Sequence, residues 1–411
     1  MDEVKLSDDV IEQIKYFSHF LTEEQESLID KLILDKELKT RYKEYGLCET
    51  CKQPMTDKYY CRSCNSKHYR QNFKNWTSRN HDVDEFIQKA QLKAKNFREI
   101  IEWIEYDKFE DIDYLAKGGF GTTYKAIWKD GFMDWNYRKG QMKRNGKTRV
   151  ALKWLHNSSQ EITADILKEV ESTILVSNSW VARCFGITKN PKTNNFMMVM
   201  QLKKGSLRQH LSNNFFSLDW KKKFNFDEYV YITDLGLCQP ANVKTSQDSN
   251  KVIYGVLPYI APEVLRGKEY TQASDIYGFG IIAYEICTGL LPYHDVDENL
   301  LKLRICNGLR PKSNYKIPQL LFNIINQCWD TDPLKRPKAD ELLRSIWDLY
   351  HAIDYNKTDS AIYKQVIEAN EANKINKKSS LTRIQNLYEL ILLNLILKMK
   401  TFDTFEDLQL S

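Results

Sequence analysis

The sequence predicts an α+β protein whose largest part is a two-lobed domain, preceded by helices and a small metal-binding module. Three observations carry that expectation. From Phe109 to about Tyr350, period-two strand patterns come first and 3.6-residue helical patterns follow. Ahead of them lie two Cys-x-x-Cys turns, Cys48/Cys51 and Cys61/Cys64, with nine residues between them. Between the two regions, Phe86, Ile87, Ala90, Ala94, Phe97, Ile100 and Ile104 keep a helical rhythm.

A chain of 411 residues, 42% hydrophobic and 28% charged, is long enough to bury a large core and too apolar for disorder. Its 60 basic and 55 acidic residues leave a net charge of only +5, so a specific nucleic-acid partner is not indicated. The opening "MDEVKLSDDVIEQ" lacks the basic-then-apolar order of a signal peptide. The most apolar run, 387–399, is interrupted by Glu389 and Asn394 and is too short to cross a bilayer. Four of the nine cysteines form one cluster and five are scattered, which is not a disulfide framework. The expectation is an intracellular, cytoplasmic protein with no transmembrane segment.

Residues 1–46 predict two helices, one opened by the capping box Thr22-Glu-Glu-Gln25, with Leu28, Ile29, Leu32 and Ile33 on a shared face and Gly46 at the exit. Residues 47–80 form a zinc-ribbon-like module, because two Cys-x-x-Cys turns can aim four thiolates at one tetrahedral ion and leave no place for a catalytic water. Reduced cysteines in a loop-rich segment are the alternative; His68 is near enough to substitute as a ligand, but the favoured reading is a surface histidine. Residues 81–108 predict a linker helix ending near Trp103–Tyr106. After the domain at 109–350 comes a Lys- and Asn-rich tail, 351–411, helical or flexible.

Within 109–350 the chemistry-bearing residues come in order. "LAKGGFGTTYKAIW" (115–128) is a strand, a glycine turn and a strand; glycines let backbone N–H groups approach phosphate oxygens. "VALKWL" (150–155) sets Lys153 in an apolar strand, where its charge needs a partner, and "ILKEVE" (166–171) offers Glu169 on a helix. A strand then leads into Asp234-Leu-Gly236.

In that order these motifs resemble a eukaryotic protein kinase domain of the tyrosine-kinase-like group. "APE" (261–263), "SDIYGFGIIAYEICTG" (274–289) and "CWDTDPLKRP" (328–337) extend the resemblance to some 240 residues, and Arg336 is expected to pair with Glu263. The layout of a Cys-x-x-Cys pair, "WTSRNHDVDEFIQKAQL" and such a domain also resembles a large expanded group of fungal kinases. The resemblance implies that Gly118 and Gly121 cradle phosphates and that Lys153 holds the α/β phosphates while pairing with Glu169. It implies that Asp234 binds Mg²⁺ and that Met200, Gln201 and Leu202 form the gatekeeper and hinge, with Leu115, Thr123 and Ala151 also on the ATP. Protein substrates or signalling partners follow from it too.

The departures matter as much. Ala116 stands at the loop's first glycine and Thr123 at the expected valine. Only 22 residues separate Leu211 from Asp234, and no His-Arg-Asp occurs in the chain, so roughly thirty to forty residues of the family pattern are absent. No catalytic residue is identified, because the aspartate that accepts the substrate's proton and the asparagine for a second Mg²⁺ lie in that segment. The expectation is an ATP- and Mg²⁺-binding member of the family with impaired transfer to Ser/Thr or Tyr, either a pseudokinase or a shortened active kinase with a shortened C-lobe. The alternative is a zinc-ribbon adaptor with a vestigial kinase region. Without the absent helix, "FGIIAYEI" (279–286) should be bared on one side, a hole that the apolar run at 384–400 could fill.

Overall fold

The computed structural model describes residues 5–17, 20–118, 121–136, 141–155, 164–176, 181–214, 231–233, 255–312, 315–354 and 358–372. They fall into two compact units, the first ending at Lys203 (with Thr233 added) and the second beginning at Lys204. Among the described residues no helix is long and apolar enough to cross a membrane. The apolar run at 384–400 lies outside them.

The first unit opens with three short helices, α1 (Asp8–Ile14), α2 (Glu23–Leu32) and α3 (Lys36–Tyr45), one more than the sequence suggested. Each has its own side-chain cap: Ser7, Thr22 in the predicted box with Gln25, and Asp35. Asp35 restarts a helix three residues after α2 ends, which apolar periodicity alone does not reveal. Ile14, Ile29, Ile33 and Leu38 form their common core. Gln53 exchanges two hydrogen bonds with the backbone of Leu6, and Arg41 donates to the carbonyls of Pro54 and Met55, so the helices lie against the cysteine module.

Two further helices follow, α4 (Arg62–Asn72) and α5 (His81–Lys93), the latter capped by Asn80. The predicted helix does not continue to Tyr106. It stops at Lys93, and Asn96 then caps a 3₁₀ turn, Phe97–Glu99, while Glu99 holds the Lys95 amide. The helical spacing of Ala94 and Ile100 is coincidental with packing around Tyr60. The chain next forms β1 (Glu102–Trp103).

The sheet continues with β2 (Phe109–Gly118), β3 (Gly121–Trp128), β6 (Thr148–Trp154), β7 (Cys184–Lys189) and β8 (Phe196–Gln201) in the order β1-β7-β8-β6-β3-β2. A small hairpin, β4 (Met133–Asn136) and β5 (Gln141–Arg144), stands apart from it. All pairings are antiparallel except β1 with β7. The period of two sorts the side chains cleanly. Val150, Leu152, Met197 and Val199 face one core with Trp128 and Phe185. Leu155, Met198 and Met200 face the other, which holds α6 (Ala164–Leu175) and α5.

The second unit is helical. It contains α7 (Leu207–Asn214), α8 (Pro262–Leu265), α9 (Gln272–Thr288), α10 (Glu298–Cys306), α11 (Gln319–Cys328), α12 (Ala339–Asp354) and α13 (Ala361–Ala372). Its core is centred on α9, which begins at a Thr271/Ser274 capping box and ends at Gly289 in the left-handed region. The expected bare flank of α9 is not found. From Phe279 to Ile286 every residue except Ile282 is buried, and Leu207 and Leu211 of α7 belong to the same core. Arg208 reaches the buried Glu285 at 3.4 Å and the Tyr259 hydroxyl at 2.9 Å. The core also runs past Tyr350: Ile362 and Val366 of α13 belong to it, and Gln365 accepts the Leu320 amide at 2.9 Å.

Candidate functional site

The predicted phosphate turn lies where β2 meets β3, with Gly118 opposite Gly121. Gly121 has φ 138, a region favouring glycine. Ala116 faces Thr123, and Thr123 is in turn the neighbour of Lys153 on β6. Leu115 occupies a register shift between Tyr114 and Ala116 and is exposed. Ala151 stands between Lys125 and Met200 in the sheet. Met200 is buried, Gln201 ends β8, and Leu202 precedes the end of the first unit at Lys203.

Lys153 alternates onto the α6 side of the sheet, where it is 9% exposed. Its Nζ donates to Glu169 Oε1 at 2.6 Å, with the two side chains 11% and 20% exposed. Away from bulk water the ion pair fixes the ammonium in direction, because an unpaired charge there would be costly. Asp234 lies outside the described residues.

The four predicted cysteines do converge. Cys48, Cys51, Cys61 and Cys64 have Sγ atoms all within 4.8 Å of one another, and His68 is exposed and outside the group. Cys48–Cys64 and Cys51–Cys61 are 3.8 and 3.4 Å apart. A tetrahedron with metal–sulfur bonds of about 2.3 Å has edges of about 3.8 Å, so one ion fits the set. The first turn is closed by Cys48 N to Gln53 O and Lys52 N to Cys48 O, with Lys52 at φ 57. Cys61 is the residue just before α4 and Cys64 sits in its first turn, where helix amides favour negative sulfur. The hydrogen bond from Cys61 holds the Cys51 thiol well below the usual thiol range, while burial and the hydrogen bond to Cys51 push Cys64 up. Four adjacent thiols cannot all ionise unless a cation compensates them.

In the second unit Arg336 grips Glu263 through two parallel bonds, 2.7 and 2.8 Å, with the arginine side chain fully buried. It also donates to the carbonyls of Ala273 and Asp330, and its guanidinium lies 5.3 Å from the Tyr277 ring centre. This is the pairing the motifs predicted.

The family model for protein tyrosine and serine/threonine kinases matches residues 109–231 and 224–346. The chain belongs to the protein kinase family. Its kinase region is similar to a probable serine/threonine-protein kinase, roco5, of Dictyostelium discoideum, 26% identical over 57% of this chain and 9% of the relative. It is similar to the dual specificity protein kinase shkE of the same organism, 33% identical over 33% of this chain and 20% of the relative. A protein kinase and PP2C-like domain-containing protein of Arabidopsis thaliana is 32% identical over 29% of this chain and 24% of its own length. The chain thus spans less than a quarter of each of these kinases.

Sequence reasoning missed that the segment before the kinase region joins its sheet. One signal was available: Gly186, inside the strand "CFGIT", where glycine marks close approach of another backbone.

Proposed function

We propose that this kinase-family chain binds ATP with Mg²⁺, carries a structural zinc ion, and is impaired in transferring phosphate to protein substrates. The Lys153–Glu169 pair carries the nucleotide reading. In an adaptor with a vestigial kinase region a largely buried ion pair would be a desolvation cost without a use. Lys153 would hold the α/β phosphates, the glycine turn would offer N–H groups, and Gln201 and Leu202 would offer backbone groups to adenine. Asp234 would hold the metal, which supplies charge neutralisation between the β and γ phosphates. The Cys48, Cys51, Cys61, Cys64 set has the size and chemistry of a closed zinc site.

Impairment rests on the 22 residues between Leu211 and Asp234, which contain no His-Arg-Asp. The family match comes in two stretches, 109–231 and 224–346, that meet in this same part of the chain. Loss of the general base costs about 10²–10⁴ in rate, about 3–5 kcal/mol of barrier. The printed names of the relatives make Ser/Thr or dual specificity the activity against which to measure it.

Thermal melting with millimolar Mg·ATP tests the first part. The expected result is a higher melting temperature in the native chain and a reduced shift in Lys153→Met. No shift in the native chain refutes nucleotide binding. Radiometric autophosphorylation tests the second, and turnover at ordinary kinase rates refutes the impairment.

A further inference from the structure

We infer that Val83 and Ile87 of α5, with the segment that follows to Ile104, brace α6 as positioning residues for Glu169, and so couple the four-cysteine module to the Lys153–Glu169 site. This rests on the nucleotide reading above.

Val83 and Ile87 are fully buried in the same core as Val170 and Ile174 of α6, together with Leu155, Met198 and Met200. Val170 is the residue after Glu169. A helix of twelve residues is marginal alone, so the position of α6 is set by what it packs on. The 3₁₀ turn Phe97–Glu99 lies against both α6 and β7. Arg183 donates to the Phe97 carbonyl at 2.7 Å and Arg98 to the Val181 carbonyl at 3.2 Å, tying that turn to the residues leading from α6 into β7. β1 then pairs in parallel with β7, so closely that a Cβ on Gly186 would stand 2.0 Å from the Glu102 carbonyl oxygen. Gln91 closes the loop back on α5 through the Ile101 carbonyl, 2.8 Å.

The cysteine module joins at the C-terminal end of α5. Arg62 and Ser66, on the helix that carries Cys64, both donate to the Leu92 carbonyl, at 3.3 and 3.0 Å. Tyr60, next to Cys61 and fully buried, sets its ring edge-on to Phe97 with centroids 4.9 Å apart. Metal-dependent order around Cys61 therefore has a packed route, Tyr60 to Phe97 to Arg183, to the residues beside α6.

The test uses the full-length chain, zinc-loaded, in four forms: native, Ile87→Ala, Glu169→Gln and the double variant. Hydrogen exchange of residues 164–176 and the Kd of a fluorescent ATP analogue with Mg²⁺ are measured on each. Ile87→Ala is expected to speed α6 exchange at least tenfold and raise the Kd about tenfold. In the Glu169→Gln background it should add less than twofold, because its effect passes through that carboxylate. If Ile87→Ala does not fold, chelating zinc from the native chain gives the same two readouts, and by reciprocity saturating nucleotide should tighten the equilibrium affinity for zinc by the same factor. Unchanged α6 exchange, an unchanged Kd, or additive effects in the double variant overturn the inference. A native chain that takes up no nucleotide refutes the reading of the site and the coupling with it, while exchange of α6 still reports the brace by itself.

Discussion

Replacing Arg336 by Ala is the sharpest test of what holds the second unit together. The guanidinium makes two bonds to Glu263, one to the Ala273 carbonyl and one to the Asp330 carbonyl, and the two charged side chains are 0% and 7% exposed. Truncation leaves the Glu263 carboxylate buried without its cation. Breaking such a pair from one side costs about 3–5 kcal/mol, a large share of a total stability of about 5–15 kcal/mol. For a unit of this size each kcal/mol moves the melting temperature about 2–4 °C, so Arg336→Ala should melt about 6–20 °C lower. Scanning calorimetry on the full chain reads this directly. The double variant Glu263→Leu/Arg336→Met should recover most of the loss, because no buried charge is then left alone. A drop of less than about 2 °C for Arg336→Ala, or a double variant less stable than either single change, refutes the reasoning.

Elemental analysis of purified protein should give one zinc per chain, and no zinc would remove the metal reading. Cys61→Ser should lose the ion and, through Tyr60 and Phe97, also lower the melting temperature of the first unit; an unchanged temperature would make the module independent. Metal content should fall on acidification, since protons compete with zinc for the four thiolates, and a plateau down to pH 4 would contradict thiolate ligation. Gly186→Ala should destabilise the first unit, as its Cβ would meet the Glu102 carbonyl at 2.0 Å; circular dichroism melting checks it, and a neutral effect would mean β1 is dispensable. Asp234→Asn should reduce the Mg·ATP-dependent rise in melting temperature as Lys153→Met does, and an undiminished shift would remove the assigned metal role.

Local chemistry was legible in the sequence by itself. Thr22 and Gln25 announce a capping box because the hydrogen bonds they make span three residues. Two Cys-x-x-Cys turns announce a convergent thiolate set because each turn aims its own pair. Lys153 in an apolar strand announces a partner because a charge cannot stay there alone, and the order of motifs named Glu169 as that partner. Tertiary structure alone decided the rest. Whether 94–104 continues a helix depended on Asn96 capping a new turn and on β7 offering an edge beside a residue without a Cβ. Whether α9 stood bare depended on which surfaces close over it, chiefly α11 and the turn Leu257–Tyr259, within one shared core. Spacing along a chain records which faces are apolar; it does not record which other face arrives to cover them, because burial is a property of both surfaces at once.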